Sequence, residues 1–148
     1  MKTYAFLSNK SQLSEKDVRR IPKLAHFLSN KGFTLCTRNE HPAEMLIQEA
    51  TPNKVILEHG VNYCGYFSDK TLKLGSEICP ITLNTPSIEI SNKLKNILLL
   101  EGRDFFVYLA DTPDEHLAVS LSAASSFGIP TYSMSTQETE LALFLNRL

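Results

Sequence analysis

Apolar and polar positions along this chain fall into blocks whose period changes. Thr3 to Ser8 is a short, mostly apolar run suited to a buried strand. Past a polar stretch from Asn9 to Gln12, apolar residues recur at Val18, Ile21, Leu24, Ala25 and Leu28, the spacing of one helix face. Ser14 is placed to cap that helix, Glu15 and Asp17 fall in its first turn, and Gly32 offers a stop. Pro22 predicts a kink or a division of the helix. Phe33 to Thr37 is a second strand candidate, Ala43 to Ala50 a second helix entered through Pro42, and Lys54 to Leu57 a third strand.

Glu58 to Asn84 has no sustained period and predicts an irregular excursion, with short extra strands near Leu72–Leu74 and Ile78–Ile81. Ser87 to Leu100 reads as a helix with Ile88, Leu94, Ile97 and Leu98 inward. Phe105 to Ala110 is a run of strand formers. It stops at Asp111-Thr112-Pro113-Asp114, a small-residue helix follows, and Gly128-Ile129-Pro130 leads into another short strand. Gln137 to Leu148 closes the chain as an amphipathic helix. This alternation predicts one α/β domain over residues 1–148. Its expected form is a three-layer αβα sandwich around a mainly parallel sheet of about five strands. A parallel sheet of this kind places its ligand at the carboxyl edge of the strands.

Composition narrows the picture. The 148 residues carry 15 basic and 16 acidic side chains, a net charge of -1, which argues against a dedicated duplex-DNA binder. No apolar run reaches membrane-spanning length and none at the start resembles a leader, so a cytoplasmic protein is expected. The cysteines Cys36, Cys64 and Cys79 show no C-x-x-C spacing. With His59 they fit no compact metal signature, so neither metal nor cofactor is expected.

Particular segments carry a resemblance. Leu28-Ser29-Asn30-Lys31-Gly32-Phe33-Thr34-Leu35 is the closest local match, and the small-residue helix before Gly128-Ile129-Pro130-Thr131-Tyr132 is a second. On these the chain resembles the SLOG group of Rossmann-like nucleotide-binding proteins, which includes the DNA-processing protein A family and the Lonely Guy phosphoribohydrolases. The resemblance implies a Rossmann-like fold and a nucleotide or related phosphorylated small molecule as partner. Where that group has a glycine-rich second loop, this chain has Thr37-Arg38-Asn39-Glu40-His41-Pro42-Ala43-Glu44. A backbone phosphate cradle is therefore replaced by side chains, with Arg38 and His41 supplying donors and Glu44 an acceptor near a ribose or base. The catalytic Gly-Thr and Glu of related hydrolases would fall near His116-Leu117 and Ser120, which do not match, so no catalytic residue is assigned.

The candidate ligand-binding residues are the polar ends of three strands: Ser8, Asn9 and Lys10; Arg38, Asn39, His41 and Glu44; Asp111, Thr112 and Glu115. Asn39 is a candidate cap for the second helix. Tyr63, Tyr66 and Phe67 are candidates to stack a base. The leading reading is a binding protein for a nucleotide or nucleotide-derived ligand. One alternative is a hydrolase or transferase at a nucleotide's N-glycosidic bond, which requires a cleft carboxylate with a raised pKa. Another is a DNA-processing accessory or interaction protein that binds single strands. The small-residue helix and Leu141, Leu143, Phe144 and Leu145 predict a surface for a homo-oligomer, in the simplest case a dimer.

Overall fold

A computed structural model describes residues 2–59, 77–81, 88–112 and 114–148. The elements are β1 (Thr3–Ser8), α1 (Glu15–Asn30), β2 (Thr34–Thr37), α2 (Pro42–Glu49), β3 (Lys54–His59), β4 (Glu77–Ile81), α3 (Ile88–Leu100), β5 (Phe105–Leu109), α4 (Glu115–Ser126), β6 (Thr131–Ser133) and α5 (Glu138–Asn146). The strands form one six-stranded sheet in the order β4-β3-β2-β1-β5-β6, and every neighbouring pair is parallel. The sheet exceeds the expected five strands because Glu77–Ile81 joins it beyond β3. Pro80 lies in β4, the outermost strand on that side among the described residues, a position where a strand can do without one donor. The Leu72–Leu74 strand, the aromatics Tyr63, Tyr66 and Phe67, and Cys64 lie outside the described residues.

Period-two alternation in the central strands builds two cores. Tyr4 and Phe6 of β1, with Phe105, Val107 and Leu109 of β5, face a cluster containing Ile21, Leu24 and Leu28 of α1, Ala43 and Ile47 of α2, and Leu141 of α5. Ala5 and Leu7, with Phe106 and Ala110, face Leu99 and Leu100 of α3 and Leu117 and Ala124 of α4. Helices on both faces make a Rossmann-like αβα sandwich. Phe105 stacks on Tyr4 at 5.4 Å between centroids and meets Phe33 and Phe144 edge-on at 5.3 and 4.9 Å. The last of these contacts ties α5 to the sheet.

Several expectations are corrected. Pro22 neither divides nor ends α1, which runs unbroken for 16 residues. The carbonyl that Pro22 cannot bond belongs to Val18, an exposed residue where water can serve it. The inner face of α3 is rotated from the expected one. Leu99 and Leu100 are enclosed together with Lys95 and Asn96, whereas Leu94 and Leu98 are 37% and 38% exposed. The cause is a polar group beneath the helix, described below. On α5, Leu141, Phe144 and Leu145 belong to the first core, which leaves Leu143 as the prominent apolar residue outside, 55% exposed. Ser120 and Ala124, one turn apart, are fully buried, as close packing on the sheet requires, while Ser122, Ser125 and Ser126 of the same helix are exposed.

Replacing Phe105 by Ala is expected to lower unfolding free energy by about 3–5 kcal/mol, the range for a large buried aromatic. Urea titration checks this, and a loss well under 1 kcal/mol would contradict the packing described.

Candidate functional site

The chain leaves β1 toward α1 and β2 on one side, and returns through α3 to β5 on the other. The carboxyl ends of β1 and β5 therefore flank the point where the strand order reverses, the favoured ligand position in open parallel sheets. Ser8 pairs with Leu109 across that point.

One carboxylate organises the first side. Glu44, in the first turn of α2, has no exposure to solvent. Its Oε2 accepts from the Ser8 amide at 3.0 Å and from Arg38 Nε at 2.8 Å. Its Oε1 accepts from the amides of Glu40 and His41 at 3.0 and 3.1 Å. The N-cap of α2 is His41 in extended conformation, so Asn39 is not the cap, and Glu44 reaches back from the first turn to accept from the amides of the N-cap and the residue before it. Burial pushes the Glu44 carboxyl above its ordinary value, against the pull of Arg38 and the amide donors.

Arg38 spreads its five donors across the loop. Besides Glu44, it donates through Nη2 to the Ser8 carbonyl at 2.9 Å and through Nη1 to Asn96 Oδ1 at 3.1 Å, and Nη1 pairs with Glu40 Oε2 at 2.8 Å. Nη2 also lies 3.4 Å from His41 Nδ1. Its own carbonyl accepts from Gln48 Nε2 at 3.0 Å. Burial works against the Arg38 charge, but Glu44 and Glu40 outweigh it and hold the guanidinium further up. Lys95 Nζ, enclosed under α3, pairs with Glu40 Oε1 at 2.8 Å. Burial alone would raise Glu40, yet Arg38 and Lys95 bring it below its ordinary value.

The other two loops join by similar bonds. Asn9 donates through Nδ2 to the Thr112 carbonyl at 2.8 Å and through its amide to Leu109 at 3.3 Å. Lys10 pairs with Asp17 Oδ2 at 2.5 Å and with Asp111 Oδ1 at 3.5 Å. Asp17 also accepts from the Ser14 amide as half of the α1 capping box. It is held below its ordinary value because its bonds to Lys10 and Ser14 outweigh burial. Asp114 caps α4 by accepting from the Leu117 amide at 2.8 Å. Glu115 pairs with Lys93 at 2.6 Å.

All three predicted strand ends thus meet at one rim, but most of the predicted side chains bind one another. Glu44 faces the loop interior. Ser8 is enclosed, with its hydroxyl accepting from the Lys10 amide. Asp111 and Glu115 are 78% and 69% exposed, each beside a lysine. The open space is a cleft of about 290 Å³ between the β2–α2 and β5–α4 loops, lined by Arg38, Glu40, His41, Asp114 and His116. Sequence reasoning left out His116 as a ligand contact, and Lys95 and Asn96 altogether. Lys95 and Asn96 precede the buried Leu99 and Leu100 by four residues, and that spacing was the available signal. No group of three or more His, Cys, Asp or Glu able to hold a metal occurs among the described residues. No helix among them is long and apolar enough to cross a membrane.

Fold and rim together define a Rossmann-like α/β protein with its candidate site at the strand reversal. Neither a family model nor a curated protein sequence matches the chain. Among solved structures it is similar to DNA processing protein A from Helicobacter pylori, whose single-stranded DNA binding mode was the subject of that work. The TM-score is 0.73 at 15% identity, over 89% of this chain and 64% of that one. At this identity the likeness is one of fold.

Two outcomes test the rim. Arg38→Met strands the Glu44 charge, so a loss of about 3–5 kcal/mol is expected at neutral pH. That loss should shrink in acid, as Glu44 takes up a proton. The second concerns Glu40 and Asp17, whose ordinary values are 4.5 and 3.8 and whose folded values are lower. The stability they contribute is present above those values and lost as pH falls through the depressed ones. Urea titrations at stepped pH should show this decline in the native protein and a flatter profile in the Glu40→Gln, Asp17→Asn double variant. Equal slopes would refute the assignment.

Proposed function

We propose that the protein binds a nucleotide-type ligand at the carboxyl rim and grips it by its nucleoside part. The observation that carries this reading is the cleft at the strand reversal, closed by loops from two strands and lined by two imidazoles and two carboxylates. Its volume of about 290 Å³ is at the small end of ligand sites, which run from about 300 Å³ upward. His41 and His116 offer flat faces and ring nitrogens to a base. Glu40 and Asp114 offer acceptors to ribose hydroxyls or exocyclic amines.

The charges favour nucleoside over phosphate. Arg38, Lys95, Lys10 and Lys93 each have carboxylate partners. The four cations at this rim stand against six carboxylates: Glu40, Glu44, Asp17, Asp111, Asp114 and Glu115. A phosphate would have to displace one of these partners. Asp111 and Glu115, the carboxylates on which glycosidic-bond chemistry would rest, stand in solvent beside lysines, which favours binding over that reaction. Single-strand DNA binding is a second reading, supported by the likeness of fold to DNA processing protein A.

Calorimetry with adenosine, its monophosphate and cyclic nucleotides tests the first reading. Nucleoside and monophosphate should bind with comparable affinity. His116→Ala should weaken both about tenfold, or about 1.4 kcal/mol. Absence of heat at millimolar concentration across the panel would count decisively against it.

A further inference from the structure

The geometry points to a second ligand site, in the groove between α1 and α5, that takes a small free organic acid: a single carboxylate on an apolar body. The groove holds about 360 Å³ and shares no lining residue with the rim cleft. Its size falls among small-molecule sites, which start at about 300 Å³ and are mostly apolar with a few placed polar groups. Leu24, Met134 and Leu141 line it although each is buried, so they form its floor. Phe27 and Leu145, half-buried, and Ala142, exposed, stand at its sides. A recessed floor suits an object that enters the groove. A lipid surface or the flank of a partner helix would need large apolar side chains that project, and none of those lining the groove is exposed.

Charge is unevenly placed along the groove. Glu138, in the first turn of α5, meets Lys16 Nζ at 2.6 Å and Arg20 Nη1 at 3.2 Å, both through Oε1. Lys23, one turn further along α1, is exposed and forms no ion pair among the described residues. The lining therefore has two cations, Arg20 and Lys23, against one carboxylate that Lys16 already shares. Arg20 also keeps guanidinium donors beyond the one that meets Glu138. Phe27 lies two turns, roughly 10 Å, past Arg20, and Leu145 lies two turns past Glu138. The cations thus sit toward one end, and an aromatic and an aliphatic side chain toward the other, where Asn146 is the neutral polar residue. A monoanion with a flat or extended apolar body complements both ends at once. Its carboxylate neutralises the surplus positive charge, and its body covers the apolar floor.

Calorimetric titration of the full chain with naphthoate, and with uncharged naphthamide, tests the site. Naphthoate should bind at sub-millimolar concentration. At low salt it should bind about fivefold more tightly than the amide, the upper end for an exposed ion pair. That preference should shrink as salt rises and fall below about twofold in Lys23→Gln. Ala142→Phe changes an exposed residue and fills the groove from its side. It should match the parent in circular dichroism and urea midpoint, yet lose at least tenfold in affinity for both probes. No binding of naphthoate by the parent at millimolar concentration, equal affinity for acid and amide, or parent-like binding by Ala142→Phe would each overturn the proposal. So would sedimentation of the parent with phosphatidylglycerol vesicles that Ala142→Phe abolishes, which would assign the groove to a lipid surface. Displacement of naphthoate by polyglutamate at matched charge would overturn it too, in favour of an acidic protein.

Discussion

The rim depends on a buried carboxylate that cannot be left without donors. Glu44 sits where water does not reach, and it draws to itself the Ser8 amide at the end of β1, the amides of Glu40 and His41, and the guanidinium of Arg38. Removing a charge from water costs several kcal/mol unless such partners compensate. The loop path is set by that requirement: Arg38 must turn inward, Glu40 must follow it, and α3 must bring Lys95 and Asn96 to complete the set. The cleft between His41 and His116 is what remains open once these needs are met. Its walls are therefore held in place before any ligand arrives, which lowers the ordering cost of binding.

The same constraint uses up the charges that make Rossmann-like rims attractive to phosphate. In the familiar arrangement, glycines let backbone amides approach an anion. Here the corresponding amides already hold Glu44, which acts as an internal anion at the start of α2. The loop without glycine is thus consistent with its structure: its amides have a resident acceptor.

Much of the architecture could be read from the chain. The strand at Thr3–Ser8, the capping residues Ser14 and Asp17, and the unit from Phe105 to Ser133 all form as their periods indicate, because burial on two faces imposes those periods directly. The meeting of three polar turns followed from parallel topology. Partner identity was not legible. Arg38 and Asn96 are 58 positions apart, and Lys95 and Glu40 55 apart, so no local spacing links them. The same gap explains the rotated face of α3. Leu94 and Leu98 look inward by hydrophobicity alone, but the polar side chains beneath the helix recruit Lys95 and Asn96 and turn those leucines out. Glu44 was recognised as an acceptor, yet its donors proved to be the chain's own amides and arginine.

A net charge of -1 describes a sum, and this molecule separates its terms. Among the described residues, cations lie along α1 while carboxylates outnumber cations at the strand ends, so these two regions present unlike local potentials despite the near-neutral sum. A charged surface within a screening length of roughly 10 Å at 0.1 M salt therefore acts differently on the two regions.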